Sequence, residues 1–117
     1  MSELKAGLDN LTAVPGVRTA MVVGRDGFLI DASGQVGPDM EVPAALVASA
    51  FAGCESVGST SDSGVLWRMI LEFSRGAVVV QQLREDAALV LFLSEDAVVG
   101  RIRHQAKEMA EALSGAL

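Results

Sequence analysis

The chain of 117 residues is short of several things at once: it has one cysteine, one histidine, three prolines, and nine Lys or Arg against fifteen Asp or Glu. One cysteine excludes an intrachain disulfide, and a reducing cytoplasm is the compartment expected for such a chain. A lone histidine leaves no second imidazole for a metal site, so no metal is expected. The formal net charge of −6 argues against a nucleic-acid surface, which needs clustered Lys and Arg to displace counterions. The longest uninterrupted apolar run is Ala87 to Leu93, whereas crossing a bilayer takes about 20 residues in a helix, and no membrane insertion is expected. The opening Met-Ser-Glu-Leu-Lys carries no apolar signal core. Neither Gly-x-x-x-x-Gly-Lys-Ser/Thr nor Gly-x-Gly-x-x-Gly occurs, so the chain is not expected to hold a nucleotide or other cofactor itself.

What the chain has is grease. Half of its residues are hydrophobic, 21% are charged, and the mean hydropathy is +0.40, which excludes disorder. A single domain over residues 1–117 hides roughly two-thirds of the surface its unfolded form exposes, and this sequence is more apolar than a lone domain of that size needs. Part of the surplus is expected on a partner surface.

The pattern reads as helix, hairpin, helix, three strands, helix. Leu4, Leu8 and Leu11 recur at helical spacing, and Pro15-Gly16 ends that helix. Val17 to Val23 and Phe28 to Ala32 are strands around the Arg25-Asp26-Gly27 turn. Asp39 is a candidate N-cap for a long helix that starts between Met40 and Pro43 and fades near Ser59 to Gly64. Val65 to Phe73 alternates with a period of two, and Ala77 to Leu83 and Ala88 to Leu93 follow after turns at Ser74-Arg75-Gly76 and Arg84-Glu85-Asp86. Ser94 is expected to cap a last helix, with Glu95 and Asp96 at its positive end. Val98, Ile102, Met109 and Leu113 make that helix's apolar face, opposite a solvated stripe of Arg101, His104, Glu108 and Glu111. Hairpin-connected strands with helices at both ends and in the middle define an α+β domain, an antiparallel sheet covered on both faces.

The middle helix departs from the pattern of a monomer. Val42, Leu46, Ala50, Gly53 and Val57 fall along one stripe, Val47, Phe51 and Cys54 along another, and no charge occurs between Val42 and Cys54. A helix apolar all round is buried all round, yet the sheet of so small a domain covers one side only. Either a neighbouring loop covers the other side, or the helix packs on its own copy across a two-fold axis, its small residues letting the backbones approach. The second reading is preferred. Leu46, Val47, Ala50, Phe51, Gly53, Cys54, Val57, Trp67 and Met69 are its expected contacts.

Candidate chemistry is sparse. Gly24-Arg-Asp-Gly27 sits between two strands and reads as a turn. His104 falls on a polar face, and Cys54 in an apolar helix is expected to be a buried, inert thiol. No nucleophile, base and orienter set emerges, so no catalytic residues are assigned and an enzyme is not expected. Trp67 is read as core or dimer contact, with a hot spot for another protein as the alternative.

The order of Leu8-x-x-Leu11, Val14-Pro-Gly-Val17, Val22-Val-Gly-Arg-Asp-Gly27, the alanine-rich middle helix, Ile70-Leu-Glu-Phe73, Arg75-Gly76, Asp86-Ala-Ala-Leu89 and Val99-Gly-Arg101 resembles the roadblock family (dynein light-chain roadblock type), especially its prokaryotic MglB-like members. The resemblance spans nearly the whole chain. It implies a five-stranded antiparallel sheet with the middle helix on one face and the terminal helices on the other. It also implies dimers that pair middle helices and join third strands edge to edge, here Val65 to Phe73. By the same resemblance the function is regulation or scaffolding of a small Ras-like GTPase, MglB-like dimers promoting hydrolysis by reshaping the partner's own catalytic loops without an arginine finger. A pure scaffold or dimerisation module and, behind it, a small-molecule sensor are the competing readings.

Overall fold

The computed structural model describes residues 2–117. Along the chain run α1 (Glu3–Thr12), β1 (Val17–Gly24), β2 (Leu29–Gly34), a 3-10 turn (Pro38–Met40), α2 (Glu41–Thr60), β3 (Arg68–Phe73), β4 (Gly76–Arg84), β5 (Ala87–Ser94) and α3 (Val99–Gly115). The strands form one sheet in the order β2-β1-β5-β4-β3, every neighbouring pair antiparallel. The pairing of β1 with β5 closes the two hairpin units into one layer and leaves β2 and β3 as its edges.

Strand alternation sorts the core into two clusters. Ala20, Val22, Val79, Leu89 and Leu91 face α1 and α3, meeting Leu4, Leu8, Leu11, Ile102, Ala106 and Leu113. Met21, Val23, Val78, Val80, Val90 and Phe92 face α2, meeting Ala44, Val47 and Phe51. The central strands β1, β4 and β5 are buried over nearly their whole length because both faces are covered. The expected division holds: middle helix on one face, terminal helices on the other.

Local chemistry explains most boundaries. Ser2 caps α1, its hydroxyl accepting from the Lys5 N–H at 3.1 Å. Gly7 lies where a Cβ would come within 2.6 Å of Leu113 Cδ2, so glycine there lets the Leu113 side chain of α3 pack directly on α1. Gly27 takes φ +89° in the β1–β2 turn. At the end of α2, Thr60 and Ser61 hydroxyls donate to the carbonyls of Ser56 and Val57, carrying the helix to Thr60.

Four expectations need correction. Asp39 is not the N-cap of α2: it belongs to the 3-10 turn, and Met40 holds the cap position without a side-chain bond. Ser94 does not cap α3. It ends β5, opposite Gly76, its N–H donates to Gly16 O at 2.9 Å, and its hydroxyl donates to the Asp96 carboxylate at 2.6 Å. The chain needs those residues to turn back under the sheet, so α3 starts at Val99 and Glu95 and Asp96 precede it. Val98 is accordingly exposed, and Ala106 takes its place in the buried stripe of α3. The third strand begins at Arg68 rather than Val65, although the Trp67 carbonyl still accepts from the Gln82 N–H at 2.9 Å.

Candidate partner surface

α2 is long and apolar enough, by length and composition alone, to cross a membrane. Here one of its faces lies on the sheet and the other is bare. Ala44, Val47 and Phe51 point inward; Val42, Leu46 and Val57 are 65%, 66% and 62% exposed, with Ser49, Ala50, Gly53 and Cys54 exposed between them. A Cβ on Gly53 would meet nothing within 4 Å. Of the residues singled out from sequence, Leu46, Ala50, Gly53, Cys54 and Val57 therefore share the outer surface. Val47 and Phe51 are packed against the chain's own sheet. The Cys54 thiol is exposed, not buried as a helical wheel suggests, because only the inward stripe of this helix has a neighbour.

The surface continues onto β3. Trp67 is 70% exposed just before the strand, Phe73 is 62% exposed at its end, and Met69 is half-buried against the α2-side cluster. Between α2 and β3 runs an open apolar groove of about 580 Å³, lined by Leu46, Ala50, Leu71, Phe73 and Phe92, with Arg18 and Arg75 at its end. Helix and edge together form one large greasy face, which a lone protein seldom leaves in water.

The far end of α2 is fixed by charge. Arg25 in the β1–β2 turn donates from Nη1 and Nη2 to both Glu55 carboxylate oxygens at 2.7 and 2.8 Å, and from Nε to the Glu85 carbonyl at 2.7 Å. This fork ties α2 to two hairpin turns and holds the guanidinium above its ordinary pKa, chiefly through the hydrogen bond to Glu55. Sequence reasoning missed the pairing, since thirty positions separate the partners and no local pattern links them. Beneath it lies a small cavity of about 30 Å³, walled by Val23, Phe51, Val80 and Val90, with room for about one water. Among the described residues no group of three or more His, Cys, Asp or Glu stands together as metal ligands would.

This arrangement is that of a roadblock-type module. The family model for the Roadblock/LC7 domain matches residues 4–92, and the chain belongs to that family. Among solved structures, the gliding protein MglB of Thermus thermophilus superposes with a TM-score of 0.88 at 23% identity, covering 97% of this chain and 87% of that one. MglB of Myxococcus xanthus does so with 0.88 at 19%, covering 97% and 86%. An MglB described as having a tetrameric arrangement reaches 0.88 at 25%, again covering 97% and 86%. No curated protein matches the sequence.

Proposed function

We propose that two copies of this chain pair through the outer stripe of α2 and the edge of β3, and that the dimer binds a small Ras-like GTPase as a non-enzymatic regulator or scaffold in the cytoplasm. The observation that carries the reading is the continuous apolar face made by Leu46, Ala50, Gly53, Cys54 and Val57 with Trp67, Met69 and the β3 edge. Membership of the Roadblock/LC7 family supports it, as does the MglB fold, since an MglB is itself described as tetrameric. A sensor with an internal ligand fits poorly, because the cavity of about 30 Å³ is too small for one.

A dimer of this kind needs no catalytic side chain to affect hydrolysis. If it holds the hydrolysis-competent state of the GTPase more tightly than the other state, it shifts the population and so the rate. The test is to mix the purified protein with a small Ras-like GTPase from the same source, loaded with a GTP analogue or with GDP, and to measure binding and GTP turnover. State-dependent binding with faster turnover supports regulation, and binding with unchanged turnover supports a scaffold. No binding to either form removes the GTPase from the account.

A further inference from the structure

The two sides of β3 can be told apart by hydrogen bonding. The Gln82 N–H donates to the Trp67 carbonyl, so Trp67 and, by the period of two, Met69, Leu71 and Phe73 turn their backbone groups toward β4. Arg68, Ile70 and Glu72 turn theirs to the open edge. Read in order, Trp-Arg-Met-Ile-Leu-Glu-Phe over 67–73 is complementary to its own reverse. Arg68 and Glu72 stand two places either side of Ile70, and Trp67 and Phe73 three places either side.

We infer that the second copy adds to β3 in a single register with Ile70 on the two-fold axis, and that Arg68 and Glu72 are the residues by which this chain selects itself. The inference rests on the reading above that β3 meets β3 of another copy. In that register Arg68 lies opposite the partner's Glu72, Glu72 opposite the partner's Arg68, and each pair can exchange backbone hydrogen bonds. On the other face Trp67 lies opposite the partner's Phe73, a non-hydrogen-bonded position where side chains come closest. The two exposed aromatics of the edge thereby cover each other. Centring the axis on Arg68 would set arginine against arginine, and centring it on Glu72 glutamate against glutamate. An axis falling between two residues would set outward backbone groups against inward ones, and an axis on Met69 or Leu71 would set Arg68 or Glu72 opposite Ile70, with no opposite charge to meet.

The protomer is prepared for this. Among the described residues neither Arg68 nor Glu72 has an ion-pair partner in its own chain. Arg68 is held in place from one side only: its Nε donates to Gln81 Oε1 at 2.7 Å, and Gln81, 7% exposed, donates in turn to the Trp67 carbonyl at 3.3 Å. The rest of the guanidinium is left for a carboxylate beyond the edge.

The test uses single charge reversals. Arg68→Glu alone places two like-charged pairs across the joint, and so does Glu72→Arg alone. Each should raise the dimer dissociation constant about tenfold, and less in high salt. An equimolar mixture of the two variants restores both opposite-charge pairs and should form a heterodimer about as tight as the wild type; this also checks that each variant is folded. The sole tryptophan gives a second readout, since its emission should move to the blue as the wild type dimerises. A wild-type dimer indifferent to both reversals, or a mixture no tighter than its parts, overturns the register while leaving the dimer standing. A monomeric wild type removes the dimer itself.

Discussion

At one edge of the sheet, β2 lies against α1 and is already engaged: the Ala32 N–H donates to the Asp31 carboxylate at 2.8 Å, the Lys5 ammonium donates to the Ala32 carbonyl, and the Ser33 side-chain hydroxyl donates to Asp9. At the other edge, β3 offers Arg68, Ile70 and Glu72 with no such cover, beside an apolar helix stripe. Natural sheets blunt the edges they do not use, with charged side chains, bulges or covering elements. β2 carries all three, including a bulge at Ile30, since Val22 pairs with Asp31 and Val23 with Leu29. A chain that covers one edge and leaves the other without a covering element, next to exposed Leu46 and Val57, fits the proposed pairing on the uncovered side.

The largest effect is expected at the helix. Ala50→Glu puts a charge into a desolvated helix pair, which should cost several kcal/mol of association; light scattering should then show monomer, while the melting temperature measured at high dilution stays near wild type because Ala50 is exposed in the protomer. Phe51→Ala, one position along but inward, should do the reverse and lower the unfolding free energy by about 3–5 kcal/mol in chemical denaturation. At the strand, Ile70→Pro removes an N–H that faces the open edge, where proline is tolerated; sedimentation should show weakened pairing with the circular dichroism of the fold retained.

The capped edge should respond differently. Lys5→Ala with Asp31→Ala should cost about 1 kcal/mol or somewhat more in stability, from lost hydrogen bonds, and leave the wild-type dimer constant unchanged. The smallest effect is expected at Asp96. The Ser94 hydroxyl donates to its carboxylate and holds its pKa below the usual range. A depressed folded value means that the contribution is present above the ordinary carboxylate pKa and lost as pH falls through the lower one. Ser94→Ala should therefore move the Asp96 titration upward by NMR and soften the acid side of the stability profile.

Much of this molecule is legible in its sequence, for identifiable reasons. Turn chemistry at Arg25-Asp26-Gly27 and the alternation from Met69 to Phe73 are local signals, and they place the hairpins and the edge strand. The charge-free stretch from Val42 to Cys54 marks a helix with more apolar surface than one sheet can cover. What a wheel cannot tell is which side of such a helix meets the sheet, so Val47 and Phe51 look equivalent to Leu46 and Ala50, and Cys54 looks buried. Ser94 misleads because a good capping residue is also the last rung of β5. The Arg25–Glu55 fork depends on the closed fold and leaves no periodic trace.

The most direct measurement is sedimentation equilibrium of the wild-type protein across micromolar concentrations. A particle of twice the chain's 12.2 kDa, reduced to single chains by Ala50→Glu, is the expected result. A wild-type particle of 12.2 kDa with Trp67 emission typical of water would contradict it.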